Sequence, residues 1–422
     1  MRIAMMTNNY KPFVGGVPIS IERLANSLRA LGNTVYIFAP DYKSSVPDDE
    51  YTFRFPTMQK KIAGAVPVPC PIYHYVKGII QTLDIDLIHV HHPVLIGNAA
   101  TRLGKELQIP VVFTYHTRYE QYLHYLKPLG YLQSKANEGC VLGKLIIGFV
   151  QEQIVQRYLK YFIKKCDMVF APTESIYKHL KQYGFYTPVN IAPTGLPENS
   201  FEAHPAATKI RQQYLQGKKY LFCTVSRLAK EKNLSFILQG IAKAKKQSGD
   251  IFNVIIIGDG PDKNKLLNQS ANLGIDKNVF FVGEVPNQMI ADYHQACDLF
   301  LFSSKSETQG IVLLEAMAAF LPVIAISATG VSDVVENGRN GILSTDSTEE
   351  WGRNLVYVME NRNVLTGMKM EARKTALRYN EKIIAARILN YYQALQKNHQ
   401  AEQWLYNHLG RNYQTILLKE NY

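Results

Sequence analysis

The chain of 422 residues lacks several features that would narrow its class at once. No apolar run approaches the ~20 residues that a membrane-spanning helix needs. The start, MRIAMMTNNY, turns polar after six residues, which predicts a first β-strand and not a signal peptide. No zinc-finger spacing or RNA-recognition signature is present, so nucleic acid is not an expected partner. The sequence has an odd number of cysteines and no C-x-x-C, a usage typical of reduced thiols in a cytoplasm. They are Cys70, Cys140, Cys166, Cys223 and Cys297.

What is present is the composition of a soluble globular protein, with 46% hydrophobic and 19% charged residues. The length predicts two domains. The net charge of +12 is uneven, because residues 1–195 hold 21 Lys and Arg against 13 Asp and Glu. A basic excess of this kind favours phosphate-bearing substrates or anionic lipid.

Short β-rich runs alternate with helical patterns, which predicts an α/β fold with parallel, doubly wound sheets. The pattern restarts after Pro193, so we expect two Rossmann-like domains, at 1–195 and 196–385. Two such domains would face each other across a cleft. Residues 194–218 are predicted to be a linker, and 386–422 a helical segment that packs back on the first domain.

Two glutamates, Glu307 and Glu315, lie eight residues apart in the stretch SETQGIVLLEAMAAFLPV. The strand-like run at 298–304 precedes them, and a helix is predicted to begin near Gly310. One carboxylate would therefore lie on a loop at a strand end and the other inside the next helix. Ligands bind at such junctions in open α/β folds, and free N–H groups at the helix start favour phosphate. The alternative is an ordinary surface pair, in which a glutamate only complements the helix dipole.

Two other strand-to-helix loops carry features suited to phosphate. Gly15 and Gly16 follow the first strand and allow the backbone to approach a ligand closely. Arg227 and Lys232 lie in SRLAKEKN after the first strand of the second domain, where two cations could neutralise a diphosphate. A plain glycine turn and a solvated basic loop are the competing interpretations.

Histidines follow two of the predicted strands. His116 ends VVFTYH and is expected to point toward the cleft, although a lone histidine is more often structural. His89, His91 and His92 form HVHH, which lacks a carboxylate and has poor spacing for zinc. We therefore expect no metal there, and interpret these histidines as the lining of an acceptor pocket.

Together these motifs, with IIIGDGP at 255–261, resemble the motif set of the family 4 retaining glycosyltransferases of the GT-B fold. The resemblance spans roughly residues 1–380 in the right order. It implies that the second domain binds a nucleotide-diphosphate sugar and the first an acceptor. One departure is Pro18, close behind the glycine pair, which is compatible with a helix start.

The resemblance also implies roles for individual residues. Glu307 would hold the hydroxyls of the transferred sugar and Glu315 the ribose, while Arg227 and Lys232 would hold the diphosphate. His116 would touch the sugar and stabilise charge at the anomeric carbon. Backbone N–H donors would come from Gly16, Thr308, Gln309 and Gly310. No metal or other cofactor is expected, since the cations and helix dipole take its place.

The acceptor side is suggested by residues 117–165. This stretch is rich in tyrosine, with Tyr119, Tyr122 and Tyr125 three residues apart, and 144–165 reads as a basic amphipathic helix. Such helices lie at membrane interfaces, although amphipathicity also fits packing on a sheet. Apolar and aromatic positions at helical spacing are Ile147, Val150, Ile154, Tyr158 and Tyr161, and the basic candidates are Lys160, Lys164 and Lys165.

The block YHTRYEQYLHYL resembles bacterial glucosyltransferases that add a hexose to diacylglycerol on the cytoplasmic leaflet. We therefore predict an enzyme that transfers a hexose, expected to be glucose from UDP-glucose, to diacylglycerol at an anionic membrane surface. It would be cytoplasmic and peripheral on the inner face of the plasma membrane. The alternatives are a GDP-mannose-dependent transferase with a phosphatidylinositol-like or soluble acceptor, a nucleotide-sugar epimerase of the same fold, and a non-catalytic lipid-binding protein.

Overall fold

A computed structural model describes most of the chain. The described residues are 1–13, 15–42, 48–62, 66–69, 72–121, 146–147 and 149–409. The chain divides into two compact units. Unit 1 comprises Met1–Pro172, Tyr177–Ala192 and the C-terminal segment from Lys382, and unit 2 comprises Thr173–Ile176 and Pro193–Glu381.

The strands and helices alternate through most of both units, as the sequence predicts. The strands are β1 (Arg2–Met6), β2 (Thr34–Pro40), β3 (Thr52–Phe55), β4 (Thr57–Ile62), β5 (Val66–Pro69), β6 (Leu87–Val90), β7 (Val111–Thr114), β8 (Met168–Ala171), β9 (Val189–Ile191), β10 (Tyr220–Val225), β11 (Phe252–Ile257), β12 (Val279–Gly283), β13 (Leu299–Phe302), β14 (Val323–Ile326) and β15 (Gly341–Ser344). The α-helices among the described residues are α1 (Gly16–Ala30), α2 (Ile72–Leu83), α3 (Ile96–Leu107), α4 (Gln156–Ile163), α5 (Glu174–Lys181), α6 (Ala206–Leu215), α7 (Leu234–Ser248), α8 (Lys263–Asn272), α9 (Ile290–Ala296), α10 (Ile311–Ala318), α11 (Thr348–Glu360), α12 (Arg362–Leu377) and α13 (Glu381–Leu409).

Unit 1 is built on a seven-stranded parallel sheet in the order β3-β2-β1-β6-β7-β8-β9. The chain first winds outward from β1 to β3 and then restarts on the other side of β1 with β6. The order therefore reverses between β1 and β6, and the loops that follow these two strands lie together at the carboxyl edge. Open α/β sheets bind their ligands at such a reversal.

Unit 2 repeats this plan in a six-stranded parallel sheet of order β12-β11-β10-β13-β14-β15. Its central strands read as continuous apolar runs, such as FNVIII in β11 and LFLF in β13, and every residue of both is buried. Strands of this type need apolar cover on both faces, which the flanking helices supply. Here the order reverses between β10 and β13. The predicted fold class, two Rossmann-like domains with parallel sheets, is confirmed.

The C-terminal helix α13 belongs to unit 1, as its contacts show. Tyr392 is fully buried, and its hydroxyl lies 2.7 Å from Nδ1 of His89. Gln396 Nε2 donates to Oδ1 of Asp86 over 2.8 Å. A distant part of the sequence therefore supports the strand β6 from which the histidine motif emerges. Within the described residues, no helix combines the length and apolar character that a membrane crossing requires.

The prediction that residues 194–218 form a linker is wrong. This segment contains helix α6, and Leu196, Ala207 and Ile210 are buried in the core of unit 2. The prolines and glycines of this segment form turns, but the residues between them still pack into the core. Gly195 illustrates the tight packing, because a Cβ built there would lie 2.4 Å from Cα of Glu381.

Candidate functional site

The loops that follow β10 and β13 meet at the reversal point of the unit 2 sheet. Ser303 joins them, because its Oγ lies 2.8 Å from the carbonyl oxygen of Lys232 and 2.9 Å from that of Asn233. Asn233 turns the chain into α7 with a left-handed φ of 54°. Asparagine tolerates this conformation better than most residues. The result is that Lys232 faces the loop after β13.

Lys232 and Glu307 form an ion pair, with Nζ of the lysine 2.6 Å from Oε1 of the glutamate. Both side chains are mostly shielded, at 24% and 17% exposure. Burial alone would raise the pKa of Glu307, but the charge of Lys232 and its hydrogen bond hold that pKa below its usual value. The carboxylate is therefore ionised at neutral pH and accepts hydrogen bonds.

Arg227 differs from Lys232, although both come from the same loop. Its side chain is exposed and has no ion pair or hydrogen bond within the described part of the chain.

The neighbouring turn of IIIGDGP packs against the loop that carries Arg227. Gly258 has a φ of +127°, and a Cβ there would lie 2.1 Å from the carbonyl oxygen of Ser226. The glycine is therefore required for the two loops to pack.

The loop after β13 leads into α10, where the second glutamate lies. Gly310 begins the helix with a φ of +69°, and Glu315 is in its interior, as predicted. The helix buries five of its eight residues, while Ile311, Val312 and Glu315 are only partly buried. These three residues are spaced i, i+1 and i+4, so Glu315 lies on the more accessible face, along with residues of the first turn.

Gln309 has a role that the sequence does not reveal. Its side chain is buried at 3% exposure, and both ends of the amide bind the backbone of Thr194. Oε1 accepts from Thr194 N over 2.7 Å, and Nε2 donates to Thr194 O over 2.9 Å. The carbonyl oxygen of Thr308 accepts from Thr173 Oγ1 at 3.1 Å. The loop that carries Glu307 is thus anchored through the two residues that follow the glutamate.

Two buried hydroxyl groups beside these loops have no protein partner among the described residues. They are Oγ of Ser226 and Oγ of Ser306. Buried polar atoms are normally hydrogen-bonded, so each such group calls for an explanation. Because neither oxygen has accessible surface, both hydroxyls belong to the interior of these loops.

In unit 1 the loops after β1, β6 and β7 lie side by side at the carboxyl edge of the sheet. The first contains Gly15, and helix α1 begins at the exposed Gly16. Pro18 is the third residue of that helix, which its missing N–H allows. The other loops carry His91 and His116, whose rings are stacked with centroids 5.1 Å apart. His91 Nδ1 and His116 Nε2 are 2.9 Å apart, a hydrogen-bond distance.

The histidines here are neutral at pH 7. Burial lowers the pKa of His89 to about 3 and that of His92 to about 4. Burial, reinforced by the neighbouring histidines, also holds the pKa values of His91 and His116 well below the usual range. His91 is 1% exposed whereas His116 is half-buried, so His116 is the more accessible of the pair. Within the described residues, no group of three or more His, Cys, Asp or Glu is arranged to hold a metal ion.

A buried carboxylate just beyond His116 was not predicted. Glu120 is 8% exposed and accepts hydrogen bonds from Tyr115 at 3.1 Å and Arg118 at 3.0 Å. His179 Nε2 lies 3.2 Å from the same carboxylate. Although burial raises the pKa of Glu120, the hydrogen bonds from His179 and Arg118 lower it to about 2. The cluster fixes the loop that leaves β7 directly after His116.

The prediction of one apolar stripe along residues 144–165 is wrong. Ile147 is buried, Tyr158 bonds to the carbonyl oxygen of Pro93 at 2.9 Å, and Ile154 is 54% exposed. The reason is a π-helical turn at Val150–Val155, which shifts the phase of the side chains before α4 begins. The core face of α4 consists of Leu159, Phe162 and Ile163.

What α4 and the turn before it expose is a mixed apolar and basic surface, which we call the basic apolar face. It consists of Phe149, Ile154, Arg157, Tyr161, Lys164 and Lys165. The ammonium group of Lys165 lies 3.9 Å from the ring centroid of Tyr161. Lys160, also predicted for this surface, is half-buried. Tyr119 is half-buried in a short 3₁₀ turn with its hydroxyl enclosed, and Tyr122 lies outside the described residues.

Comparison with known proteins agrees with this arrangement. Residues 14–199 match the sequence profile "Glycosyltransferase Family 4", and residues 206–375 match "Glycosyl transferases group 1". The chain is 28% identical to the alpha-monoglucosyldiacylglycerol synthase of Acholeplasma laidlawii over 91% of its own length and 95% of the relative's. It is 29% identical to the enzyme of that name from Streptococcus pneumoniae, over 81% of this chain and 75% of the relative.

A solved structure with the same fold is HepE of Anabaena in complex with UDP. It superimposes with a TM-score of 0.72 over 93% of this chain and 100% of HepE, at 20% sequence identity. The two matched profiles, in this order, account for both units and confirm the predicted enzyme class. The chain belongs to the family 4 glycosyltransferases of the GT-B fold, and it is a hexosyltransferase.

Proposed function

We propose that this enzyme transfers glucose from UDP-glucose to 1,2-diacylglycerol, with retention of configuration and without a metal ion. The observation that carries the donor half is the shielded pair of Lys232 and Glu307 at the reversal point of the unit 2 sheet. An ionised carboxylate there accepts hydrogen bonds from sugar hydroxyls. The adjacent lysine and the exposed Arg227 suit a diphosphate.

The remaining donor contacts follow from the same loops. Free N–H groups at the start of α10 favour phosphate oxygens, and Glu315 is one turn further along the helix, in reach of a ribose. The UDP bound to HepE, which shares the fold, supports UDP as the nucleotide.

In the proposed transfer the bond from the anomeric carbon to the diphosphate oxygen breaks, and its electrons leave with the UDP. The acceptor hydroxyl oxygen forms the new bond on the same face of the sugar, and its proton passes to the departing diphosphate. Unit 1 supplies His116, which touches the sugar while positive charge develops at the anomeric carbon. Arg227 and Lys232 stabilise the negative charge on the diphosphate, the role that a metal ion has in other transferases.

The acceptor is proposed from the relatives and from the basic apolar face. The relatives from Acholeplasma laidlawii and Streptococcus pneumoniae are named for synthesis of monoglucosyldiacylglycerol. The exposed Ile154 and Tyr161 would enter the interface of a bilayer, while Arg157, Lys164 and Lys165 would attract anionic lipid by about 1 kcal/mol each. The enzyme would then act as a peripheral protein on the cytoplasmic leaflet, where its acceptor is located.

The direct test is incubation of the purified chain with labelled UDP-glucose and vesicles of diacylglycerol and phosphatidylglycerol. We expect label in the lipid phase and an α-anomeric signal in the NMR spectrum of the product. Parallel reactions with other UDP-sugars and with GDP-mannose identify the donor. No lipid label with any donor would overturn the lipid acceptor, and conversion of the nucleotide sugar without an acceptor would indicate an epimerase.

Membrane binding is tested separately with Lys164→Gln/Lys165→Gln. The double variant should bind anionic vesicles more weakly at low salt, and the deficit should shrink at high salt because the lost contribution is electrostatic. Lys265→Gln/Lys277→Gln removes two exposed charges from unit 2 and serves as the matched control. Equal vesicle binding by both double variants would contradict the assignment of the membrane face.

A further inference from the structure

The contact between His91 and His116 joins an almost inaccessible side chain to the proposed sugar-binding one. Only 2.9 Å separate His91 Nδ1 from His116 Nε2, and the two rings are inclined by 24°. The other nitrogen of His91, Nε2, is buried and has no hydrogen-bond partner among the described residues. Because both rings are neutral, one nitrogen of the pair donates and the other accepts.

The enclosed Nε2 atom decides between the two arrangements. If Nε2 of His91 carried the proton, a buried N–H donor would be left without an acceptor, which is rare in folded proteins. If Nδ1 carries it, His91 donates to Nε2 of His116, and the enclosed atom has only an unused lone pair. The second arrangement costs less and places the proton of neutral His116 on Nδ1.

The surroundings hold His91 in place without competing for this bond. His89 lies against it with ring centroids 4.1 Å apart. Both nitrogens of His89 are already engaged, one 2.7 Å from the Tyr392 hydroxyl and the other 2.6 Å from Thr114 Oγ1. These contacts prevent His89 from replacing His116 as the partner of His91.

We propose that His91 is a positioning residue for His116, whose tautomer and ring orientation it sets through the Nδ1–H to Nε2 hydrogen bond. The proton of neutral His116 then lies on Nδ1, so that His116 donates from this nitrogen and accepts at Nε2. This inference rests on the proposed function, in which His116 touches the donor sugar. His91 itself does not touch the substrate.

Three substitutions separate positioning from mere packing. His91→Asn retains an amide N–H near the place of Nδ1, His91→Gln places its amide near Nε2, and His91→Phe keeps only the ring. We expect the glutamine and phenylalanine variants to lose about 10–100-fold in kcat with unchanged affinity for UDP, and the asparagine variant to recover most of the loss. Equal kcat in the asparagine and phenylalanine variants, both folded, would overturn the proposal.

The tautomer is measured directly, without substrate, by NMR of protein labelled with ¹⁵N-histidine. Comparison with His116→Phe assigns the His116 signals. We expect a protonated Nδ1 and an unprotonated Nε2 in the wild type, and a changed distribution in His91→Phe. A proton on Nε2 of wild-type His116 would overturn the inference whatever the activity. The expected tautomer together with no sugar transfer would instead overturn the proposed function.

Discussion

The two carboxyl sheet edges of this enzyme have the same topology but opposite chemistry. At the reversal point of unit 2 the loops present an ion pair, Lys232 with Glu307, and an exposed Arg227. At the corresponding place in unit 1 they present neutral histidines, of which His91 and His116 share a hydrogen bond. A nucleotide sugar carries its charge on the diphosphate, whereas a sugar carbon and an alcohol acceptor are uncharged. The proposed function accordingly assigns the charged diphosphate to unit 2 and the uncharged sugar and acceptor groups to unit 1.

The largest effect is expected from Lys232→Ala. The change removes a cation proposed to hold the diphosphate and leaves Glu307 shielded without its partner, so that burial raises the pKa of Glu307. We expect turnover to fall by about 100–1,000-fold, measured with UDP-glucose and diacylglycerol vesicles. Lys230→Ala, an exposed lysine of the same loop, is the control. Equal turnover in the two variants would mean that the charge of unit 2 is not used for the diphosphate.

A smaller loss is expected from Gly330→Ala, which displaces Glu307 without changing any charge. A Cβ at Gly330 would lie 2.5 Å from the carbonyl oxygen of Glu307. A shift of about 1 Å at a reacting centre costs roughly 100-fold in turnover.

Gly338→Ala provides the matched control, because Gly338 has the same φ of +78° but nothing within 4 Å of its Cβ position. Both variants bear the same backbone strain, so the difference in turnover isolates the displacement of the carboxylate. If Gly338→Ala lost as much turnover as Gly330→Ala, strain alone would explain the result.

Gln309→Leu should have a more moderate effect. It removes both hydrogen bonds to the backbone of Thr194 and leaves two polar groups without their partner. This loss should lower the free energy of unfolding by roughly 1–3 kcal/mol. Turnover should fall about tenfold, because the loop that carries Glu307 is held less firmly.

Gln295 supplies a control of the same design elsewhere in unit 2. Its amide accepts from His204 N at 2.9 Å and donates to Glu202 O at 2.6 Å. Gln295→Leu should lower the free energy of unfolding by urea but leave the turnover of UDP-glucose unchanged. A loss of turnover in this variant and none in Gln309→Leu would contradict the anchoring role of Gln309.

Much of the fold could be predicted because its signals are local. The apolar runs of β10, β11 and β13 are continuous, and the loops after them contain the glycines and charges that their turns need. The positions of Glu307 on a loop and Glu315 in a helix follow from the same reasoning. The edge strands β3, β9 and β15 are harder to predict, because polar residues or glycine interrupt the apolar ones in TFRF, VNI and GILS.

The contacts that complete the site could not be predicted, because they join residues far apart in sequence. His91 meets His116 only because the register of β6 and β7 pairs Val90 with Phe113. Gln309 meets Thr194 across 115 residues. Which side chains before α4 face the core could not be predicted for another reason. A π-helical turn has a different number of residues per turn, and the spacing of apolar residues does not reveal where such a turn occurs.

The smallest effect on turnover at neutral pH, and the most distinct dependence on pH, is expected from Glu120→Gln. The folded pKa of Glu120 is about 2 against an ordinary value of 4.5, so its charge stabilises the fold fully above about pH 4.5. That contribution, of the order of 3 kcal/mol, is lost as the pH falls from 4.5 toward 2. Urea unfolding of the wild type and of Glu120→Gln should therefore show a constant difference in the free energy of unfolding from pH 7 to 5. Below pH 5 this difference should shrink.

Glu106→Gln, from an exposed ion pair with Lys77, is the control and should change the free energy of unfolding by less than ~1 kcal/mol. A difference for Glu120→Gln that stayed constant down to pH 3 would contradict this prediction. It would mean that the loop after His116 is held by contacts that do not depend on the charge of Glu120.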